Sequence, residues 1–211
     1  PETIGSITYL SKNHQSLQRN VVAGFNVTCI GDDRAYSYLP SRQENSLADK
    51  AALHALKHMQ PQFVSYSFLD RGSDERQYCS PGIDLPVCSI MRTKYGCYPE
   101  YHTSLDDLNL VTPTGLLGGY EVLTKAIECL EMNELLSSTV LCEPQLGKRG
   151  LYPTISTKSS GSQVRDMMNF LAYCDGSSSS LEIAEKIKVP LWELNETIEK
   201  LKKEGVLRNE D

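Results

Sequence analysis

His102 is the residue of this 211-residue chain best placed for metal chemistry. It stands in the step Tyr101-His102-Thr103, beyond an apolar run over residues 83–91. That run is rich in branched side chains, as suits a strand buried on both faces of a parallel sheet. Gly82 and Gly96 punctuate it, so His102 falls on a loop past the strand's carboxyl end, where open α/β sheets collect ligands. A neutral imidazole there can bind zinc through one nitrogen while an acceptor orients the other. Asp106 and Asp107 follow within five residues; they either supply that acceptor or cap the next turn. Before the strand, Asp74-Glu75-Arg76 forms a charged turn. An arginine there can grip a carboxylate with two hydrogen bonds, or the three side chains form a surface ion-pair cluster. His54 and His58 are spaced i,i+4, but no glutamate completes a His-Glu-x-x-His pattern. They read as flanking an alanine stripe.

The elements that must position these groups alternate in type. Residues 3–17 read as a helix with Ile7, Leu10 and Leu17 on one side, and residues 21–30 as an apolar strand ending in the turn Gly31-Asp32-Asp33. Residues 36–39 make a second short strand. Ser46 caps a helix over Leu47–Met59 that Pro61 stops. Residues 63–69 alternate as a strand does, and Thr112-Pro113 opens a helix to about residue 132. The alternation predicts a parallel-rich α/β sandwich over residues 1–145. Residues 143–162, rich in Gly, Pro, Lys and Ser, read as a connecting arm, with the linker proper over 146–163. Helices are expected over 164–173, 181–187 and 191–204. A loop over 175–180 separates the first two, a tight turn at Lys188-Val189-Pro190 the others. With Gly205-Val206-Leu207-Arg208 after them, they resemble a winged helix-turn-helix over 164–211.

Residues 72–108 closely resemble the last metal-binding motif of the zinc aminopeptidases that include bacterial leucyl aminopeptidase and glutaminyl cyclase. The matching residues are Ser73-Asp74-Glu75, Gly82-Ile83-Asp84 and Tyr101-His102-Thr103, with Asp106 and Asp107. Over essentially its whole length the chain resembles a bacterial aminopeptidase-like family in which the exopeptidase fold is followed by a winged helix. The resemblance implies zinc as cofactor, His102 as a ligand, Asp106 and Asp107 behind it, and a substrate pocket with Asp74, Glu75, Arg76 and Tyr101. It also implies a role for Glu2. The family carries a Glu-Glu pair before a Gly-Ser helix start; the first is the general base and the second binds zinc. Gly5-Ser6 matches that start, which puts Glu2 in the ligand's place and Pro1 in the base's. The spacing to Gly5 is short, so Glu2 as the base is the other assignment.

Thr28, in Thr28-Cys29-Ile30-Gly31, stands where the family's strand delivers an aspartate ligand. A hydroxyl is a poor partner for a hard dication, so one of two zinc positions is lost unless Asp32 or Asp33 moves in; otherwise both serve the turn. The family's first His-x-Asp pair is absent, and Pro1-Glu2-Thr3-Ile4-Gly5 resembles an internal stretch of the fold. The chain is therefore expected to be a fragment, inactive by itself. The implied function is zinc-dependent hydrolysis of a peptide or small amide. The alternative is a catalytically degenerate ligand-sensing regulator whose winged helix makes protein contacts or binds DNA.

Composition narrows the partners. Apolar residues make up 40% and charged ones 23%, an ordinary globular balance, and the net charge is −6. General attraction to nucleic acid or anionic membrane is not expected. No apolar run approaches the roughly 18 residues of a membrane span, and no basic-then-apolar leader is visible. Residues 164–211 hold seven Lys/Arg against ten Asp/Glu, a net of −3. Their last helix would expose Glu193, Glu196 and Glu199 beside Lys200, Lys202 and Lys203. Duplex binders present a basic face instead. Self-association is compatible with all of this. Seven cysteines, an odd number with no C-x-x-C pair, point to reduced thiols and a cytoplasmic setting.

Overall fold

The computed structural model describes residues 2–151 and 158–210, in two compact units divided between Leu130 and Glu131. The N-terminal unit is built on a mixed four-stranded sheet. Its strands are β1 (Gly24–Asn26), β2 (Ser37–Leu39), β3 (Val64–Ser65) and β4 (Val87–Met91), in the order β1-β4-β2-β3. Strand β1 runs parallel to β4 and β2 parallel to β3, while β2 meets β4 antiparallel. The two runs expected as long strands thus share one sheet, although each pairs over less than its apolar length. Positive φ at Cys29 and Asp84 keeps both from extending further.

Strand β4 is buried along its whole length, and its alternation sorts two layers. Cys88 and Ile90 join the alanines of α2 (Leu47–Met59) and Val122 and Ala126 of α4 (Pro113–Glu131). On the other face Val87 packs with Leu10 of α1 (Ile4–Asn20), Cys79 and Leu85. Met91 packs with Leu39 and Tyr95. One-turn helix α3 (Glu75–Tyr78) lies on that side. Within α1 the buried positions are Ser6 and Leu10, whereas Ile7 is exposed. Helix α2 opens with a complete capping box between Ser46 and Asp49, the local signal that made it legible.

The C-terminal unit begins earlier than residue 146, because β5 (Leu135–Ser138) is the centre of its sheet. It pairs antiparallel with β6 (Asp175–Ser179) and β7 (Leu207–Asn209). Helices α5 (Lys158–Leu171), α6 (Ser180–Ile187) and α7 (Leu191–Lys203) complete it. The expected linker over 146–163 is mostly not one: Leu146 and Leu151 are buried, and α5 starts at Lys158. Residues 152–157 lie outside the described residues. The expected loop over 175–180 is instead β6, held by its ladder to β5. Among the described residues no helix is long and apolar enough to cross a membrane.

Candidate functional site

Glu2 and His102, a hundred residues apart in sequence, line one open cavity of about 380 Å³ in the N-terminal unit. Thr28, Cys29, Tyr98, Tyr101 and Asp106 line it with them. Ile30, Leu110, Val111 and Leu116 give it an apolar part, and no lysine or arginine lines it.

The turn before α3 fixes Glu2. Glu75 is fully buried, and its Oε1 accepts hydrogen bonds from Gly72 N (2.8 Å), Ser73 N (2.9 Å) and Tyr95 Oη (2.7 Å). Its Oε2 accepts from Asn26 Nδ2 at 2.8 Å. Four donors satisfy this carboxylate in the interior. Burial, then the Glu75 carboxylate, pushes the Tyr95 hydroxyl above its ordinary pKa, which keeps it a donor. The turn so held aims outward twice: Ser73 Oγ donates to the Glu2 carboxylate, and Asp74 Oδ1 accepts from Thr3 N at 2.6 Å.

The loop after β4 carries His102. Tyr95, Tyr98 and Tyr101 follow at three-residue spacing; the His102 ring stacks on Tyr101 with centroids 4.0 Å apart, and Tyr101 meets Tyr98 edge-on at 5.6 Å. Tyr98 Oη donates to Cys29 Sγ at 3.5 Å. The Arg34 guanidinium forks onto Glu100 at 2.7 and 2.9 Å, and that pairing holds the Glu100 carboxyl down at about 2. Buried Asp32 ties this loop to the one after β1, accepting from Thr93 N (2.8 Å), Thr93 Oγ1 (2.6 Å) and Arg34 N (2.9 Å). Three non-glycine residues in the left-handed region, Thr3, Cys29 and His102, lie at or beside this cavity. Backbone strain of this kind concentrates at functional sites.

The expected site residues separate under this geometry. Glu2, His102, Tyr101 and Asp106 come together; Asp74, Glu75 and Arg76 do not line the cavity. Glu75 is a core residue because the turn's backbone amides need an acceptor, and Arg76 is exposed with Nη2 3.2 Å from Thr3 Oγ1. Asp107 accepts from Asn109 N at 2.8 Å, closing its own turn. Asp33 accepts from Thr112 Oγ1 at 2.5 Å at the start of α4. Asp32 is taken up by its three donors and Asp33 does not line the cavity, so neither stands in for the carboxylate that Thr28 lacks. Pro1 lies outside the described residues. His54 is buried in α2, its ring 4.5 Å from that of His58, and neither lines this cavity.

As a metal centre the cavity fits in part. Imidazole and carboxylate are zinc-binding types, and His102, Glu2 and Asp106 bring both. Among the described residues, no three imidazole, thiol or carboxylate ligand atoms around this cavity lie within 4.8 Å of one another. All seven cysteines are free; burial pushes Cys129 and Cys174 to about 12. Reading the sequence alone missed Tyr98, Cys29 and the Asp32 tie. The three-residue tyrosine spacing was the signal that could have shown the first.

Comparison with known proteins agrees with this architecture. Residues 1–133 match the family described as Domain of unknown function (DUF4910), and residues 125–209 match a winged helix-turn-helix family. A Clostridium acetobutylicum protein, named for polysaccharide biosynthesis with an aminopeptidase-like domain, is 40% identical over 188 residues, 88% of this chain and 43% of its own length. A crystal structure named for a peptidase from the same species superposes with a TM-score of 0.89 at 34% identity, covering 100% of this chain and 47% of that one. An aminopeptidase from Aneurinibacillus sp. strain AM-1 shares the fold over 60% of this chain and 30% of its own, with a TM-score of 0.51 at 16% identity. The chain thus spans less than half the length of the two Clostridium relatives. By its N-terminal unit the chain belongs to the family described as Domain of unknown function (DUF4910), with a winged helix-turn-helix unit following it.

Proposed function

We propose that this chain carries one part of a zinc site in an aminopeptidase-like hydrolase that acts on a peptide or small amide. The observation that carries the reading is the meeting of Glu2 and His102 in one cavity from opposite ends of the unit's sequence. The names of the relatives and the shared fold support it. In this reading His102 is a metal ligand, and further ligands come from residues outside these 211. When bound, zinc acts as a Lewis acid on the amide carbonyl. The chain's own residues do the rest. Glu2, oriented by Ser73 Oγ, either holds the metal or moves a proton at its carboxylate. The Tyr98–Tyr101–His102 stack forms one wall of the cavity, and Ile30, Leu110, Val111 and Leu116 receive an apolar part of the substrate. An amide borne on a saccharide suits the name of the Clostridium relative and falls within the same chemistry.

A degenerate, ligand-sensing regulator is the second reading. Thr28 on the cavity wall and the full complement of donors on Asp32 favour it. Glu2→Gln in a longer protein containing these residues separates the roles. As a base, Glu2 lost in this way lowers turnover roughly 10²–10⁴-fold with zinc retained; as a ligand, its loss removes the zinc. Unchanged turnover and unchanged zinc would reject any role for Glu2. Metal and ligand binding without turnover in the wild type would favour the regulator.

A further inference from the structure

Tyr95 does not line the cavity, yet it reaches the supports of both Glu2 and His102. Its ring centroid lies 6.4 Å from that of Tyr101, on which His102 stacks. Its hydroxyl enters the turn that fixes Glu2. There Oη accepts from Gly72 N at 2.7 Å and donates to Glu75 Oε1, also at 2.7 Å. Among the described residues these are the only hydrogen bonds between residues 72–75 and 92–110. The ring has little room to move. A Cβ on Gly72 would stand 2.6 Å from Tyr95 Cε2, so the turn comes this near only because glycine is there. The buried Lys94 ammonium lies 4.1 Å from the ring centroid and donates to Tyr95 O at 3.3 Å.

We propose that Tyr95 is a positioning residue, the joint that holds Glu2 and His102 in register across the cavity. The inference rests on the reading that these two residues form one site. On one side Ser73 carries the position of the turn to the Glu2 carboxylate. On the other, Tyr101 carries the position of the loop to the His102 imidazole. Loss of the hydroxyl unlinks the two sides without orphaning the buried carboxylate. Glu75 keeps Gly72 N, Ser73 N and Asn26 Nδ2 as donors, so the turn itself persists.

Tyr95→Phe is tested against Tyr38→Phe, which takes a likewise buried hydroxyl from another carboxylate, Asp49, away from the cavity. In ¹H–¹⁵N spectra of the full chain, Tyr95→Phe is expected to shift the amides of Gly72 and Ser73 and also those of Tyr101 and His102. Tyr38→Phe leaves all four in place. In a longer protein containing these residues, Tyr95→Phe weakens zinc binding about tenfold or more. Tyr38→Phe leaves it unchanged, as a loss of stability alone would. Gly72→Ala crowds the ring while keeping the hydroxyl, and it is expected to act as Tyr95→Phe does. It answers the same question if Tyr95→Phe does not fold. Shifts that stop at the turn and leave His102 unmoved would overturn the joint. So would unchanged zinc affinity in Tyr95→Phe, or equal weakening by Tyr38→Phe. A wild type that binds no zinc would overturn the hydrolase reading instead, and the His102 shift then decides the joint by itself.

Discussion

Glu100 shows how single residues set the cavity wall. Its bidentate pairing with Arg34 holds the loop that carries Tyr98, Tyr101 and His102. The folded carboxyl sits at about 2, below an ordinary value of 4.5. The pairing therefore contributes fully above about pH 4.5 and is lost as pH falls from there through about 2. The pair is solvent-exposed, so its effect on global stability is small and the readout must be local. Near-UV circular dichroism of the tyrosines is expected to change between pH 4.5 and 2, and Glu100→Gln should show the low-pH signal already at pH 6. A variant spectrum identical to wild type at both pH values would refute the clamp. At this scale the sequence was partly legible. His102 stood out through its place beyond an apolar strand, and Glu2 through resemblance to a Glu-Glu helix start. Glu75, expected in the pocket, is buried beneath it, and a charged turn carries no sign in sequence that its backbone amides point inward at one carboxylate. Asp107 is absorbed by its own turn, as short polar side chains readily are, whereas Asp32 and Asp33 bond Thr93 and Thr112, partners too distant in sequence to be foreseen.

Among the elements, α4 and the loop after β1 approach closely enough to exclude a side chain. A Cβ on Gly115 would stand 2.0 Å from Gly31 O and 2.7 Å from Asp32 O, both backbone atoms that cannot swing aside. Gly115→Ala is accordingly expected to cost roughly 2–4 kcal/mol in urea unfolding and to displace the Ile30–Asp32 wall of the cavity. A Cβ at Gly118 would meet Arg92 Nη1 and Tyr36 Oη at 2.3 Å. These are side-chain ends with some freedom to move, so Gly118→Ala should cost less. Equal stability of Gly115→Ala and wild type would contradict the packing. Elements with strong local signals were legible: α2 through its capping box, α4 through Thr112-Pro113, and α7 through its apolar spacing. Strand β6 was not, since Asp175, Gly176 and three serines have loop composition and only the ladder to β5 makes them a strand. Apolar length overstated β1 because hydrophobicity continues past Asn26 while strand geometry stops near the positive φ at Cys29.

Taken as a molecule, the chain joins an aminopeptidase-like α/β unit to a winged-helix unit. The order of these units was readable from the shift between alternating strands and helices and closely spaced short helices. Their division was not, because β5 follows α4 after three residues and declares its membership only by pairing with β6 and β7. The proposed activity rests on His102 as a ligand, with Glu2 beside it in one cavity. Zinc content by elemental analysis of a longer protein containing these residues, wild type against His102→Ala, tests that most directly. With His102 as a ligand, the wild type binds zinc and the variant, whose fold is checked by far-UV circular dichroism, binds it at least about tenfold more weakly. Equal zinc in both proteins would contradict it.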